Sequence, residues 1–205
     1  MPGALVCAGC DGLLHRLTGP ACARCGAPTA WPVARCSECG RRRLAFDSAR
    51  AAVAYQGPAR ALVRAWKERG VRHVAALAAD VVCDTIPWPA ADIITYIPGD
   101  GDRSVRRGHE PPRALAEALG ERWDLPVACL LARTRRVARQ SELSRDERRR
   151  NVRGAFRASA GAVRGRIVLV DDVYTTGATV AAAAAALRAA GAAHVIVVTF
   201  ARTVR

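Results

Sequence analysis

Two adjacent carboxylates, Asp171 and Asp172, close the apolar run Ile167-Val-Leu-Val170 and are followed by Tyr174-Thr-Thr-Gly-Ala-Thr179. Neighbouring acids repel each other unless a cation or a set of hydroxyl donors engages them. The segment behind them is small, hydroxyl-bearing and glycine-containing, and it leads into an alanine-rich stretch that predicts a helix. Free N–H groups and the positive end of the dipole at a helix amino terminus hold phosphate. Acids for sugar hydroxyls and Mg2+, followed by a phosphate cradle, fit a ribose 5-phosphate.

A second group of residues has metal-ligand chemistry. Cys7/Cys10, Cys22/Cys25 and Cys36/Cys39 are three CxxC pairs whose starts lie 15 and 14 residues apart, a short internal repeat of zinc knuckles. Two knuckles at this spacing bring four thiolates to one tetrahedral zinc ion, which nucleates a unit too small to fold otherwise. The favoured set is Cys22, Cys25, Cys36 and Cys39, because each of these knuckles is followed by a glycine that eases its turn. Cys7 and Cys10 are then half of a second ribbon, ligands together with His15, or alternative partners of Cys22 and Cys25.

Elements must position both groups. After Phe46 strands and helices alternate: a strand over Arg50 to Tyr55, a helix opened by Gly57-Pro58 and ended by Gly70, and an alanine-rich helix around Val74 to Cys83. Asp92 to Ile97 reads as a buried strand, Pro111 to Trp123 as a helix, and Val127 to Leu131 as a strand. Strand Arg166 to Val170, helix Thr179 to Ala190 and strand His194 to Phe200 form the clearest unit. Strand, helix, strand implies parallel pairing in a doubly wound α/β sheet, whose ligands sit beyond the carboxyl ends of the strands. Asp171 to Gly177 lies there. The expected organisation is a zinc ribbon over residues 1–45 and a main domain over 46–205.

Between Arg133 and Arg166 there are twelve arginines against three acids, interrupted by the capping-box pattern Ser144-Arg-Asp-Glu147. This stretch, residues 133–166, reads as a basic flexible lobe that covers a ligand. The chain carries a formal charge of +14, and of its 32 basic residues one alone, Lys67, is lysine. Such charge suits a polyanionic partner, while the abundance of Ala, Arg, Gly and Pro fits codon drift from Lys to Arg. No apolar stretch of about 20 residues predicts a membrane span. The amino terminus has neither a basic start nor a long apolar core, so a cytoplasmic protein is expected. In that compartment paired cysteines point to metal rather than disulfides. Cys83 and Cys129 lie in apolar runs and read as core thiols, the four tryptophans as core residues, and His109 as a polar loop residue.

Four apolar residues, two acids and Thr-Thr-Gly-Ala-Thr in this register resemble the signature of type I phosphoribosyltransferases. The resemblance implies that Asp171 and Asp172 are the catalytic acids contacting the 2′ and 3′ hydroxyls of 5-phosphoribosyl-1-pyrophosphate. It implies that Thr175, Thr176, Gly177, Ala178 and Thr179 wrap the 5′-phosphate. Pyrophosphate would be held by Pro98, Gly99 and Asp100 in the loop Tyr96 to Arg103, whose glycines let backbone N–H groups face an anion. Arg133, Arg135 and Arg136 would stabilise the departing charge. Enzymes of this type acting on 6-oxopurines place an acid where Thr175 stands, so that acceptor class is disfavoured.

The order of the knuckles, Tyr55-Gln-Gly-Pro58, Arg106-Arg-Gly108, the arginine-rich Gln140 to Phe156 stretch and the phosphoribosyl motif is similar to ComF-type competence proteins over nearly the whole chain. That family is implicated in natural DNA uptake. The chain departs from it at His109-Glu110-Pro111, at Tyr96-Ile-Pro98, and in having three knuckles where many members have four. The last difference implies a shortened amino terminus or a misassigned start codon.

Two functions follow. One is a ComF-type phosphoribosyltransferase-like protein that binds Mg2+ and phosphoribosyl pyrophosphate and takes part in DNA uptake. The other is a non-catalytic adaptor for single-stranded DNA or a helicase partner, its pocket regulatory or vestigial. Only ten aromatic residues in the chain argue against an extended base-stacking surface. A regulator sensing phosphoribosyl pyrophosphate finds no helix-turn-helix candidate in the sequence.

Overall fold

The computed structural model describes residues 8–71, 73–99, 109–134, 154–158 and 164–204. Cys7, Asp100, the Arg106 to Gly108 element, Arg135, Arg136 and most of the arginine-rich lobe, with its Ser144 capping box, lie outside the described residues.

Four parallel strands form the main sheet, in the order β1-β6-β5-β2. They are β1 (Ser48–Ala54), β2 (Ile93–Tyr96), β5 (Arg166–Tyr174) and β6 (His194–Arg202). β5 and β6 are long apolar runs because both faces are covered, as parallel sheets require. Ile167 and Leu169 pack into one core cluster and Val168 and Val170 into the other. The second face carries α3 (Gly57–Arg69), α4 (Val74–Thr85) and α5 (Pro111–Trp123), with Trp66 and Leu115 completely buried. The first face carries α6 (Ala178–Ala189) and a small antiparallel pair, β3 (Leu131–Arg133) with β4 (Phe156–Ala158). The architecture is therefore a doubly wound α/β sheet, as expected.

The amino-terminal segment contains two short helices, α1 (Ala8–Gly12) and α2 (Ser37–Gly40). It covers the outer edge of β1, which would otherwise expose unpaired backbone. The Leu17 amide donates to the Ala52 carbonyl at 2.8 Å, the Ala54 amide to His15 at 2.9 Å and the Ala49 amide to Arg24 at 3.0 Å. Gly26 is in the left-handed region at φ 68°, and a Cβ there would collide with the Ala49 carbonyl, so the approach admits only glycine.

Some expected elements differ. Val127 to Leu131 is not a continuous strand. Its start makes a single parallel bridge from Val127 to Ile94, beside Pro126, which has no N–H to extend the ladder. Its end turns away, and Leu131 begins β3. β5 runs beyond Val170 to Tyr174, where it pairs with Arg202, so the two acids lie within the strand and not in a loop. Arg133 and residues 156–158 are strand, so the described ends of the 133–166 segment are tied to the sheet's first face. Trp66 and Trp123 are core residues, whereas Trp31 and Trp88 are 69% and 65% exposed. Cys129 is also exposed and Cys83 half-buried.

Candidate functional site

Among the described residues, Cys22, Cys25, Cys36 and Cys39 form the group with metal-ligating geometry, their sulfurs all within 4.8 Å of one another. A tetrahedral ion about 2.3 Å from each sulfur spaces the sulfurs about 3.8 Å apart. The Cys22–Cys39, Cys25–Cys36 and Cys36–Cys39 separations are 3.6, 3.5 and 3.8 Å, so the donor set fits a structural zinc. Burial pushes the Cys22 thiol up, yet the backbone N–H groups of Cys25, Cys36 and Arg24 outweigh it and bring it down to about 6. Burial pushes the Cys25 and Cys39 thiols up. Cys10 is exposed, and His15 lies 3.4 Å from the Gln56 side-chain amide.

The ribbon touches the loop that follows the acids. Arg42 donates to the Thr176 carbonyl at 2.7 Å. Arg202, at the end of β6, donates to the Cys25 carbonyl at 2.6 Å and lies 5.0 Å from the centroid of the Tyr174 ring. The Tyr174 hydroxyl is buried, unpartnered among the described residues, and packed directly over Gly177. Burial pushes its ionisation up to about 12. Gly177 caps α6 at φ 69°, where a Cβ would strike that hydroxyl. Its freedom in φ is therefore needed twice, for the turn and for the contact. Thr175 is exposed, Thr176 and Thr179 are half-buried, and Gly177 and Ala178 are buried at the helix start. The Ala178 amide donates to the Thr176 hydroxyl at 3.3 Å.

Asp171 and Asp172 stand just before this loop. The Asp172 side chain is only 6% exposed, and Lys67 from α3 lies 2.6 Å from one of its oxygens and 2.8 Å from the other. Burial alone would push the Lys67 ammonium down, but the charges of Asp172 and Asp171 carry it above its ordinary value. Burial raises Asp171 to about 7, the charge of Asp172 adds to this, and Lys67, the Asp172 amide and Arg133 pull against it. That amide donates to Asp171 Oδ1 at 2.9 Å. Sequence reasoning did not place Lys67 in the site, because its partner lies 105 residues away. The available signal was its standing as the one lysine among 32 basic residues.

The loop after β2 approaches the same region. Arg133 donates to the Pro98 carbonyl at 2.9 Å while its guanidinium lies 4.9 Å from the Phe156 ring centroid. The Gly99 amide donates to the Glu110 carboxylate at 3.2 Å. His109 donates from its ring to the Trp66 carbonyl at 2.6 Å, so it pins the last turn of α3, the turn that bears Lys67. Hard oxygen donors at Asp171 and Asp172 suit Mg2+, with Lys67 already balancing one of the two charges.

Residues 106–204 match the family described as the phosphoribosyl transferase domain. Together with the parallel sheet, the match defines an α/β domain of that class. The DNA utilization protein YhgH of Salmonella typhi is 31% identical over 193 residues, 89% of this chain and 84% of that protein. Competence protein F of Haemophilus influenzae is 26% identical over 208 residues, 96% of this chain and 90% of that protein. The chain belongs to this family, the ComF-type competence proteins. Among solved structures, the glutamine phosphoribosylpyrophosphate amidotransferase of B. subtilis is 27% identical with a TM-score of 0.41. The matched region is 62% of this chain and 25% of that one, so the chain spans a quarter of that enzyme's length. No described helix is long and apolar enough to cross a membrane.

Proposed function

We propose that the domain over residues 46–205 binds phosphoribosyl pyrophosphate with Mg2+, and that the protein serves the uptake or use of DNA, as its relatives' names suggest. The observation that carries this reading is the acid pair near the carboxyl end of β5, with a glycine turn at Gly177 and the start of α6 at Ala178 just beyond the strand's last residue, Tyr174. Asp171 and Asp172 take the ribose hydroxyls, and residues 175–179 take the 5′-phosphate on backbone N–H groups. Pro98 and Gly99, with Asp100, hold the pyrophosphate, and Arg133 stabilises its developing charge. Mg2+, when bound, neutralises phosphate charge and orients the sugar. The ribbon over residues 1–45 holds one zinc ion and acts as a structural brace.

Titration of Mg2+ and phosphoribosyl pyrophosphate by calorimetry tests the reading. Wild type binds and an Asp171→Ala/Asp172→Ala variant does not; absence of binding by wild type would sink it.

A second reading, binding without transfer by an adaptor for single-stranded DNA or a helicase, draws support from Glu110. Its carboxylate sits on the Gly99 amide, in the loop that would hold the pyrophosphate, and opposes a second anion there. Pyrophosphate release assayed with a panel of bases and amines separates the two, since binding with no turnover on any acceptor favours the adaptor. Salt-dependent binding of single-stranded DNA, before and after neutralising Arg148, Arg149 and Arg150, then measures the basic segment's contribution.

A further inference from the structure

Lys67 is the chain's one lysine, in a composition where every other basic residue is arginine. It lies in the last turn of α3, which is held in place by the buried Trp66, by the His109 contact to the Trp66 carbonyl, and by Gly70 in the left-handed region at φ 67°. From that fixed turn its ammonium meets both oxygens of the buried Asp172, at 2.6 and 2.8 Å. A guanidinium would chelate the same carboxylate through its rigid fork and stay there. An ammonium is a compact charge with three rotatable donors, able to leave one oxygen for another.

We propose that Lys67 is a displaceable counter-charge for the acid pair. In the ligand-free protein it occupies Asp172 and keeps a divalent cation from binding alone. When a phosphorylated sugar enters, it turns from Asp172 to a phosphate oxygen of the ligand and frees the carboxylate for the sugar hydroxyls. The exchange makes cation and sugar phosphate bind together rather than separately. This role rests on the proposed phosphoribosyl reading for its ligand, but the first half stands on the Lys67–Asp172 contact alone.

The sole lysine also supplies the test. Selective 13C-lysine labelling of the wild-type chain gives a single lysine side-chain signal, which reports on Lys67 without mutation. Adding Mg2+ with phosphoribosyl pyrophosphate shifts that Cε signal; an unmoved signal while calorimetry registers binding would overturn the exchange. With Mn2+ as the probe and no sugar phosphate present, Lys67→Gln binds the metal at least about tenfold more tightly than wild type, because a unit charge has left the carboxylates. Lys67→Arg keeps the charge, so it holds Mn2+ affinity at the wild-type level while weakening phosphoribosyl pyrophosphate several-fold. Equal Mn2+ affinity in wild type and a folded Lys67→Gln variant refutes the counter-charge. Equal sugar-phosphate affinity in wild type and Lys67→Arg refutes the need for an ammonium. If wild type binds no phosphoribosyl pyrophosphate, the proposed function fails while the Mn2+ comparison still decides the role of Lys67. Should Lys67→Gln not fold, Lys67→Met, which keeps the aliphatic stem and removes the charge, provides the same comparison: Mn2+ affinity equal to wild type in that variant refutes the counter-charge.

Discussion

The ribbon and the acid-pair site both gather groups that repel one another, and they do it by opposite means. The ribbon draws four sulfurs from one short stretch, its widest contact spanning 17 residues between Cys22 and Cys39. The acid-pair site draws its members from α3, β5 and the loop before α6, with 105 residues separating Lys67 from Asp172. The sulfurs are placed for a metal ion that would balance them, whereas an ammonium from elsewhere in the fold balances the buried carboxylate. Local geometry suffices for the first, and only the assembled sheet provides the second. The two are not independent, because Arg42 and Arg202 tie the ribbon to the loop and to Tyr174.

That comparison can be broken or sharpened by measurement, beginning with the largest expected effect. Cys39→Ser, or a strong chelator, abolishes zinc uptake and lowers the melting temperature by roughly 10 °C. If the pocket leans on the ribbon, the same change weakens binding of ribose 5-phosphate; unchanged binding would make the regions independent. Gly177→Ala forces a Cβ onto the Tyr174 hydroxyl at a positive φ and destabilises by about 2–3 kcal/mol, read by chemical denaturation. The zinc content of that variant stays unchanged, which separates pocket damage from ribbon damage. Arg202→Met leaves the Cys25 carbonyl without its donor and costs about 2 kcal/mol, and it loosens both regions at once.

The smallest effect concerns pH. Asp171 is raised to about 7 in the fold from an ordinary value of 3.8, so the folded protein binds an extra proton between these values. Its contribution is complete below about pH 4 and is lost as pH rises through 7. Asp171→Asn therefore leaves the melting temperature of metal-free protein unchanged at pH 4 and raises it by roughly 3 °C at pH 8. Equal pH profiles for the variant and wild type would show that the fold does not strain this carboxylate.

Much of the fold was legible because its signals are short-range. Gly57-Pro58 and Gly70 bracket α3, and Pro111 and Trp123 bound α5, where backbone chemistry alone starts and stops a helix. The strand expected over Val127 to Leu131 was not legible, since an apolar run does not reveal that its neighbour on the sheet is a single residue, Ile94. The end of β5 was misplaced for a related reason. Two acids read as loop, yet pairing with Thr199 to Arg202 carries the strand through them to Tyr174.

The sequence by itself determined the chemistry that is local: that knuckles at this spacing share an ion, and where two acids precede a glycine turn and a helix. Knuckle spacing and helix capping act within a few residues, so composition and order suffice for them. Tertiary structure alone decided that Lys67 sits on Asp172, that Glu110 takes the Gly99 amide, and that Arg42 and Arg202 join the ribbon to the loop. Those contacts depend on which strands become neighbours in the sheet, a property of the packed chain that no local pattern encodes.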